Sequence, residues 1–262
     1  MLLAIDVGNT NTLFALHDGE GFRAQWRIST DGRRTADEYY VWLRNLMALE
    51  GVDPEAVTDA ILAQVAPQTL FNLRSLCRKY FKVEPLVVGE PGCALGIEVR
   101  MPNPGEVGAD RLVNVAAGLR DYGPNLIIID FGTATTFDVC DEDGAYAGGA
   151  ISPGINLSLE ALHQAAAKLP RIDVARPARV IGKGTVDAMR SGVYWGYVGL
   201  IEGLCDRIEA EHGRPMTVIA TGGLAPLFSK ATPRIDHGDP DLTMRGLAYI
   251  HALNRAKPPG DA

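Results

Sequence analysis

The sequence predicts an α/β protein made of two copies of one β-β-β-α-β-α unit, and three observations predict it. Asp6 to Thr12 reads DVGNTNT directly after the apolar run Leu2, Leu3, Ala4, Ile5. Asp130 to Thr136 reads DFGTATT after Leu126, Ile127, Ile128, Ile129, 124 positions later. Each loop is followed by strand, polar turn and returning strand, and then by helix, strand and helix, so order and spacing both repeat. The expected halves are 1–119 and 120–262, with the boundary near Gly118 to Gly123.

In the first half, Thr12 to Leu16 reads as a strand, His17-Asp18-Gly19-Glu20 as a turn and Phe22 to Ile28 as the returning strand. Thr35-x-x-Glu38 is a capping box, in which each residue satisfies a free N–H of the other. Tyr39, Trp42, Leu43, Leu46, Met47 and Leu49 then follow at helical spacing until Gly51 ends the run. Ala60 to Val65 is a buried strand, Gln68 to Tyr80 a helix, Pro85 to Val88 a strand, and a further helix runs to about Arg120. In the second half, Leu126 to Ile129, Thr135 to Cys140 and Ala145 to Ile151 are the three strands, with Asp141 to Gly144 as the turn. Helices are expected at Leu157 to Lys168, Thr185 to Glu211 and Leu242 to Asn254, with a strand at Thr217 to Ala220. The tail from Lys257, with Pro258-Pro259-Gly260, is expected to be disordered.

With 262 residues and 47% apolar content the chain can fill a sizeable core. Its formal charge of −7 and lack of any lysine or arginine run give no footprint for a nucleic-acid backbone. Asp6 interrupts the N-terminal apolar stretch, and no window approaches the ~18 apolar residues of a membrane span, so neither membrane nor export is expected. Cys77, Cys93, Cys140 and Cys205 lie far apart with no C-x-x-C pair, as in a cytoplasmic protein with reduced thiols.

In the two loops, glycine lets backbone approach a ligand, and N–H groups with the hydroxyls of Thr10, Thr12, Thr133, Thr135 and Thr136 can donate to phosphate oxygens. A carboxylate in such a loop would repel a polyphosphate unless a cation or its water shell lies between them. Asp6 and Asp130 both pose that demand. Asp and Asn are also common in plain tight turns, but two such loops in register exceed what turns require. Ile181 to Thr185, IGKGT, lacks the first glycine and the strand of a P-loop, and no G-x-G-x-x-G follows a strand. Val218 to Phe228, VIATGGLAPLF, places Gly222-Gly223 at a strand end, either as a surface for a flat adenine ring or as an ordinary strand-to-helix turn.

Taken together, IDVGNTNT, NPGEVGADRLVN, IDFGTATTFDV, GGAISPGI, GKGTVDAMRSGVYWGYVGLIEG and ATGGLA resemble the type III pantothenate kinases along nearly the whole chain. That family lies in the superfamily of sugar kinases, heat-shock ATPases and actin. The resemblance implies two ribonuclease-H-like (actin-like ATPase) domains, each offering a phosphate loop to ATP, and transfer of the γ-phosphate to pantothenate on the way to coenzyme A. It places Asp6, Val7, Gly8, Asn9, Thr10, Asn11, Thr12 and Leu13 around the ATP phosphates, with Asp6 serving Mg2+. Thr133 becomes a phosphate contact, Gly222 and Gly223 the adenosine motif, and Asp130 the ligand of a monovalent cation, K+ or NH4+. Gly108, Ala109, Asp110 and Arg111 would contact pantothenate, with Asp110 as the base, and Thr185 would do so from either subunit. Met101 stands where many relatives carry an aromatic wall of the substrate pocket.

Local reading alone gives Asp110 a second role, complementing the dipole of its helix for roughly 0.3–1 kcal/mol. As a base it would contribute ~10²- to 10⁴-fold, while in-line positioning supplies up to roughly 7–11 kcal/mol. On the helix from Thr185, Val186, Met189, Val193, Tyr197, Leu200, Leu204 and Ile208 form a core stripe. Gly192, Gly196, Gly199 and Gly203 form another, at up to ~1 kcal/mol each relative to alanine. Another backbone should therefore pack on them, from a second subunit, hence a homodimer, or from the same chain. His163 and His237 lack a matched carboxylate and read as structural or solvated. A kinase of another small hydroxyl substrate also fits these residues, as does a non-catalytic regulator or actin-like assembler.

Overall fold

The computed structural model describes residues 1–166 and 169–255. Lys168, the expected end of one helix, and the tail from Lys257 lie outside the described residues. Contacts divide the chain into two compact units, Met1–Arg120 together with the chain from Asp241, and Asp121–Pro240.

The first unit holds strands β1 (Leu2–Val7), β2 (Asn11–His17) and β3 (Phe22–Ser29), helix α1 (Ala36–Leu49), β4 (Asp59–Gln64), α2 (Leu70–Leu76), β5 (Leu86–Val87) and α3 (Ala109–Tyr122). The second holds β6 (Leu126–Phe131), β7 (Ala134–Cys140), β8 (Tyr146–Pro153), α4 (Ile155–Ala165), α5 (Thr185–His212), β9 (Thr217–Gly222), α6 (Ala225–Phe228) and β10 (His237–Gly238). The last helix, α7 (Leu242–Arg255), returns to the first unit. The sheets repeat one topology, β3-β2-β1-β4-β5 and β8-β7-β6-β9-β10. In each, an antiparallel three-stranded ribbon is continued by two parallel strands. This is the duplicated mixed α/β unit expected from the two loops.

Local chemistry explains most boundaries. Thr35 and Glu38 form the reciprocal capping box of α1, and Gly51 at φ +68° turns the chain out beyond it. The expected helix 68–80 is helical throughout but changes type: a tighter turn at Pro67–Thr69 leads into α2, which passes at Cys77 into a π-turn ended by Lys82, in the left-handed region at φ +60°. In the first unit, Ile5, Phe14 and Leu16 pack against Tyr39, Leu43 and Met47 of α1. The opposite face sets Ala4, Ala15, Ile61 and Ala63 against Val113 and Ala116 of α3 and Leu247 and Ile250 of α7. A Cβ on Gly246 would come within 2.6 Å of the Val113 carbonyl oxygen, so glycine there permits the close crossing of α7 over α3.

In the second unit, Ile127, Ile129, Phe131, Phe137, Val139, Val218 and Ala220 form a core with α5 and α6. The face that α5 buries overlaps the expected stripe in part. Met189 and Tyr197 of that stripe are buried and Val193, Leu200, Leu204 and Ile208 pack at the edge of the core, but Tyr194, Val198, Ile201 and Cys205 are buried as well and Val186 is 37% exposed. Apolar side chains surround most of α5, so spacing alone did not select the core face.

Candidate active site

In the first loop, β1 ends at Val7 and the chain returns in β2 through Gly8 to Asn11. The Gly8 N–H donates to the Asn11 carbonyl at 3.0 Å, and a Cβ on Gly8 would stand 3.2 Å from that same oxygen. Asn9, Thr10 and Asn11 are exposed at the tip, while Val7 and Thr12 are buried. Thr12 turns inward, its Oγ1 2.9 Å from that of Thr30. The Thr30 hydroxyl donates to the Gly8 carbonyl at 2.8 Å, and its N–H donates to the Thr10 carbonyl at 2.9 Å. Thr30 thus ties the loop to the end of β3 from behind, a role without a local sequence signal, because it depends on the pairing of β2 with β3. Across the sheet, Asp6 sits between Leu13 and Ala63, both apolar.

The second loop is shorter, Gly132 to Ala134, and its row is polar: Asp130 sits between Thr136 on β7 and Thr221 on β9. Thr133 and Gly132 are exposed. The Gly154 N–H donates to the Thr133 carbonyl at 3.1 Å, and a Cβ on Gly154 would fall 2.2 Å from that oxygen, so glycine at the start of α4 lets the loop seat. Gly222 adopts φ +87°, and a Cβ on it would lie 2.5 Å from Oδ1 of Asp130. Glycine is therefore required at 222 by its positive φ and by the Phe131 backbone, whose N and O would each lie 2.8 Å from a Cβ, whereas Gly223 is exposed with nothing within 4 Å of a Cβ. Asp138, fully buried, accepts hydrogen bonds from Thr136 Oγ1 at 2.9 Å and Tyr146 OH at 3.0 Å.

The GADR segment opens α3. Gly108 O accepts from the N–H groups of Arg111 and Leu112, and Ala109 is buried. Asp110 Oδ1 accepts from the Arg111 N–H at 2.8 Å. A Cβ on Gly108 would lie 2.7 Å from Asp110 Oδ1 and 3.4 Å from Val65 Cγ1. Val65 in turn donates its N–H to the Val7 carbonyl at 3.0 Å. One residue, Val65, thus joins the end of β1, where the first loop begins, to the glycine over which Asp110 folds. Burial pushes the Asp110 carboxyl above its ordinary range, opposed by the N–H and charge of Arg111. A half-buried carboxylate raised in this way suits proton acceptance.

Met101 is half-buried in the loop before α3, and Thr185 is exposed as the first residue of α5. His163 Nδ1 lies 2.7 Å from the Leu169 carbonyl and His237 lies against Tyr122, contacts that suit structural roles. Among the described residues no three His, Cys, Asp or Glu side chains cluster as a metal centre. A divalent ion at Asp6 would thus rest on a single carboxylate, its other positions left to water and phosphate, the usual habit of magnesium. At Asp130 the fit is different: an oxygen-lined row and a glycine cradle surround the carboxylate.

The type III pantothenate kinase profile matches residues 2–207. The chain is 61% identical to the type III pantothenate kinase of Paramagnetospirillum magneticum over 97% of its own length and 98% of the relative's. Among solved structures it is similar to a protein of Campylobacter jejuni described as a Baf family transcriptional activator, with TM-score 0.61, 19% identity, and coverage of 97% and 100% of the two chains. It is also similar to a Sinorhizobium meliloti protein assigned as a 2-dehydro-3-deoxygalactonokinase, with TM-score 0.61, 14% identity, and coverage of 98% and 100%. The two structural likenesses establish the fold alone, that of two ribonuclease-H-like domains.

Proposed function

The chain belongs to the type III pantothenate kinase family, and on that premise we propose how its residues carry the reaction. It is a kinase that transfers the γ-phosphoryl group of ATP to the hydroxyl of pantothenate, the first step towards coenzyme A. The observation that carries the assignment of roles is the bridge through Val65, which sets Asp110 beside the origin of the first loop.

In this reading the N–H groups of Gly8 to Asn11 take the ATP phosphates, Thr133 adds a contact from the second loop, and the open space at Gly223 receives the adenosine. Asp6 would hold magnesium and Asp130 a monovalent cation, K+ or NH4+. Bound there, the two cations would offset the phosphate charge. Arg111, Gly108, Ala109 and Met101 orient pantothenate, with Thr185 as a further contact. As the hydroxyl oxygen bonds to the γ-phosphorus and the bond to the ADP oxygen breaks, the hydroxyl proton passes to the Asp110 carboxylate. The transition state is loose, so proton transfer comes late and a carboxylate is a sufficient base. Positioning carries most of the rate.

The chain acts as a homodimer in this reading. Gly192, Gly196 and Gly199 are exposed on α5, and a Cβ on any of them would meet nothing within 4 Å. No backbone among the described residues of the same chain packs on these glycines, which supports a second copy as the partner of the stripe. Three of the four cysteines are buried and the fourth half-buried, all free, as suits a cytoplasmic enzyme. No helix among the described residues is long and apolar enough to cross a membrane.

ADP release measured with and without pantothenate, and with sodium replacing potassium, tests the reading. Release should require pantothenate and fall without potassium; release indifferent to pantothenate would overturn it.

A further inference from the structure

The two loops match in sequence but not in the rows that flank their carboxylates. Around Asp6 the neighbours on adjacent strands are Leu13 and Ala63, while around Asp130 they are Thr136 and Thr221. Residues in register on adjacent strands stand about 4.8 Å apart and project from the same face. The core side of this sheet takes Ile129, Phe137 and Ala220, so Thr136, Asp130 and Thr221 share the other side.

Thr221 is 1% exposed and its Oγ1 has no hydrogen-bond partner. A buried hydroxyl left unpaired is destabilising, and natural proteins rarely keep one without a reason. Thr136 is the converse case: its hydroxyl proton is committed to Asp138, so lone pairs remain on its oxygen. Asp138 is itself fixed by the Tyr146 hydroxyl. At the end of the row, Gly222 at φ +87° lets the backbone pass close to Asp130 Oδ1, where a Cβ would stand only 2.5 Å away. A carboxylate flanked by neutral hydroxyl oxygens offers hard oxygen ligands, which suit an alkali-type cation that has shed water.

We propose that Thr136, Asp130 and Thr221 form one oxygen row that holds the monovalent cation, with Asp138 as the positioning residue that turns the Thr136 lone pairs towards it. The inference rests on the reading of Asp130 as the cation's ligand, and assigns the neighbours that complete the site. It accounts for the unpaired Thr221 hydroxyl, which the reaction otherwise does not use. It also accounts for the difference between the loops, because the Asp6 row offers no second oxygen.

The test is a titration of the full-length enzyme with thallium(I), a potassium stand-in with an NMR signal, at fixed ionic strength with a non-hydrolysable ATP analogue present. Thr221→Val, which keeps shape and removes the oxygen, should weaken thallium binding at least about fivefold, and Thr221→Ser should restore it. In cation-free buffer Thr221→Val should melt no lower than wild type, since it removes an unpaired buried hydroxyl, while the melting increment given by potassium should shrink. Asp138→Asn should weaken thallium binding without changing the affinity for the analogue. Unchanged thallium affinity in Thr221→Val, with binding lost in Asp130→Asn, overturns the row but leaves Asp130 as the ligand. Unchanged affinity in Asp130→Asn overturns both.

Discussion

The carboxylate of Asp110 folds back over Gly108, its Oδ1 only 2.7 Å from the point that a Cβ on residue 108 would occupy. Glycine at 108 is therefore a condition for the conformation of Asp110. Gly108→Ala should push the carboxylate aside, because the free end of a side chain yields more readily than backbone. A displacement of about 1 Å at a reacting group is enough for a ~100-fold loss of turnover. Steady-state kinetics on Gly108→Ala should show that loss with ATP affinity retained; turnover close to wild type would separate the two residues.

Thr30 is the support of the first loop. Thr30→Val removes both hydroxyl contacts and leaves the Gly8 carbonyl without that donor. Losing such bonds is worth ~1–2 kcal/mol, or roughly 5- to 30-fold in an equilibrium. The expected outcome is a rise of that order in KM for ATP with saturated turnover little changed. A variant with the KM of wild type would show that the loop holds its shape without Thr30.

The parts legible in the sequence are those in which local chemistry dictates conformation. Strand, Asp-x-Gly turn and returning strand stand out because a continuous apolar run meets an Asp-x-Gly turn in each half of the duplication, and α1 stands out because Thr35 and Glu38 cap it. Other features depend on partners far along the chain. Helix α7 is amphipathic by itself, but its packing of Leu247 and Ile250 on the first sheet and of Gly246 on Val113, far along the chain, is what shows that it covers the first unit. The two residues of β10 are too few to carry a period. Thr30, Val65 and Thr221 owe their roles to strand register: one residue of slip would turn each to the other face. The Asp130 row is hidden for the same reason. The first loop is one residue longer, so Leu13 faces Asp6 while Thr136 faces Asp130.

The glycine face of α5 gives a prediction of sign. On a free helix surface, Gly192→Ala, Gly196→Ala and Gly199→Ala should each stabilise by up to ~1 kcal/mol. Against a closely packed partner backbone they should instead open the interface. The combined variant is expected to sediment as a monomer and melt below wild type. A variant of unchanged mass that melts higher would show that the face is bare.

Burial sets thiol reactivity. It pushes Cys77, Cys140 and Cys205 up to about 12, and Cys93, half-buried, moves in the same direction. Native enzyme at pH 8 should therefore react with a disulfide reagent at Cys93 or at no residue, and at all four cysteines once unfolded. Rapid native labelling of Cys77 would contradict the packing of α2.

The raised Asp110 pKa has a linked effect on stability. Because the folded carboxyl holds its proton to a higher pH than the unfolded one, its contribution to stability is fully present at low pH and is lost as pH rises through the folded pKa. Asp110→Asn should therefore melt above wild type at neutral pH, and the gap should close below the ordinary carboxylate range. A gap independent of pH would place the effect in packing.

The most direct measurement is turnover of Asp110→Asn alongside its ATP affinity by calorimetry. The account predicts a fall in turnover of about 10²- to 10⁴-fold, with ATP binding within a few-fold of wild type. Turnover near that of wild type would contradict it, and would remove Asp110 as the group that takes the proton.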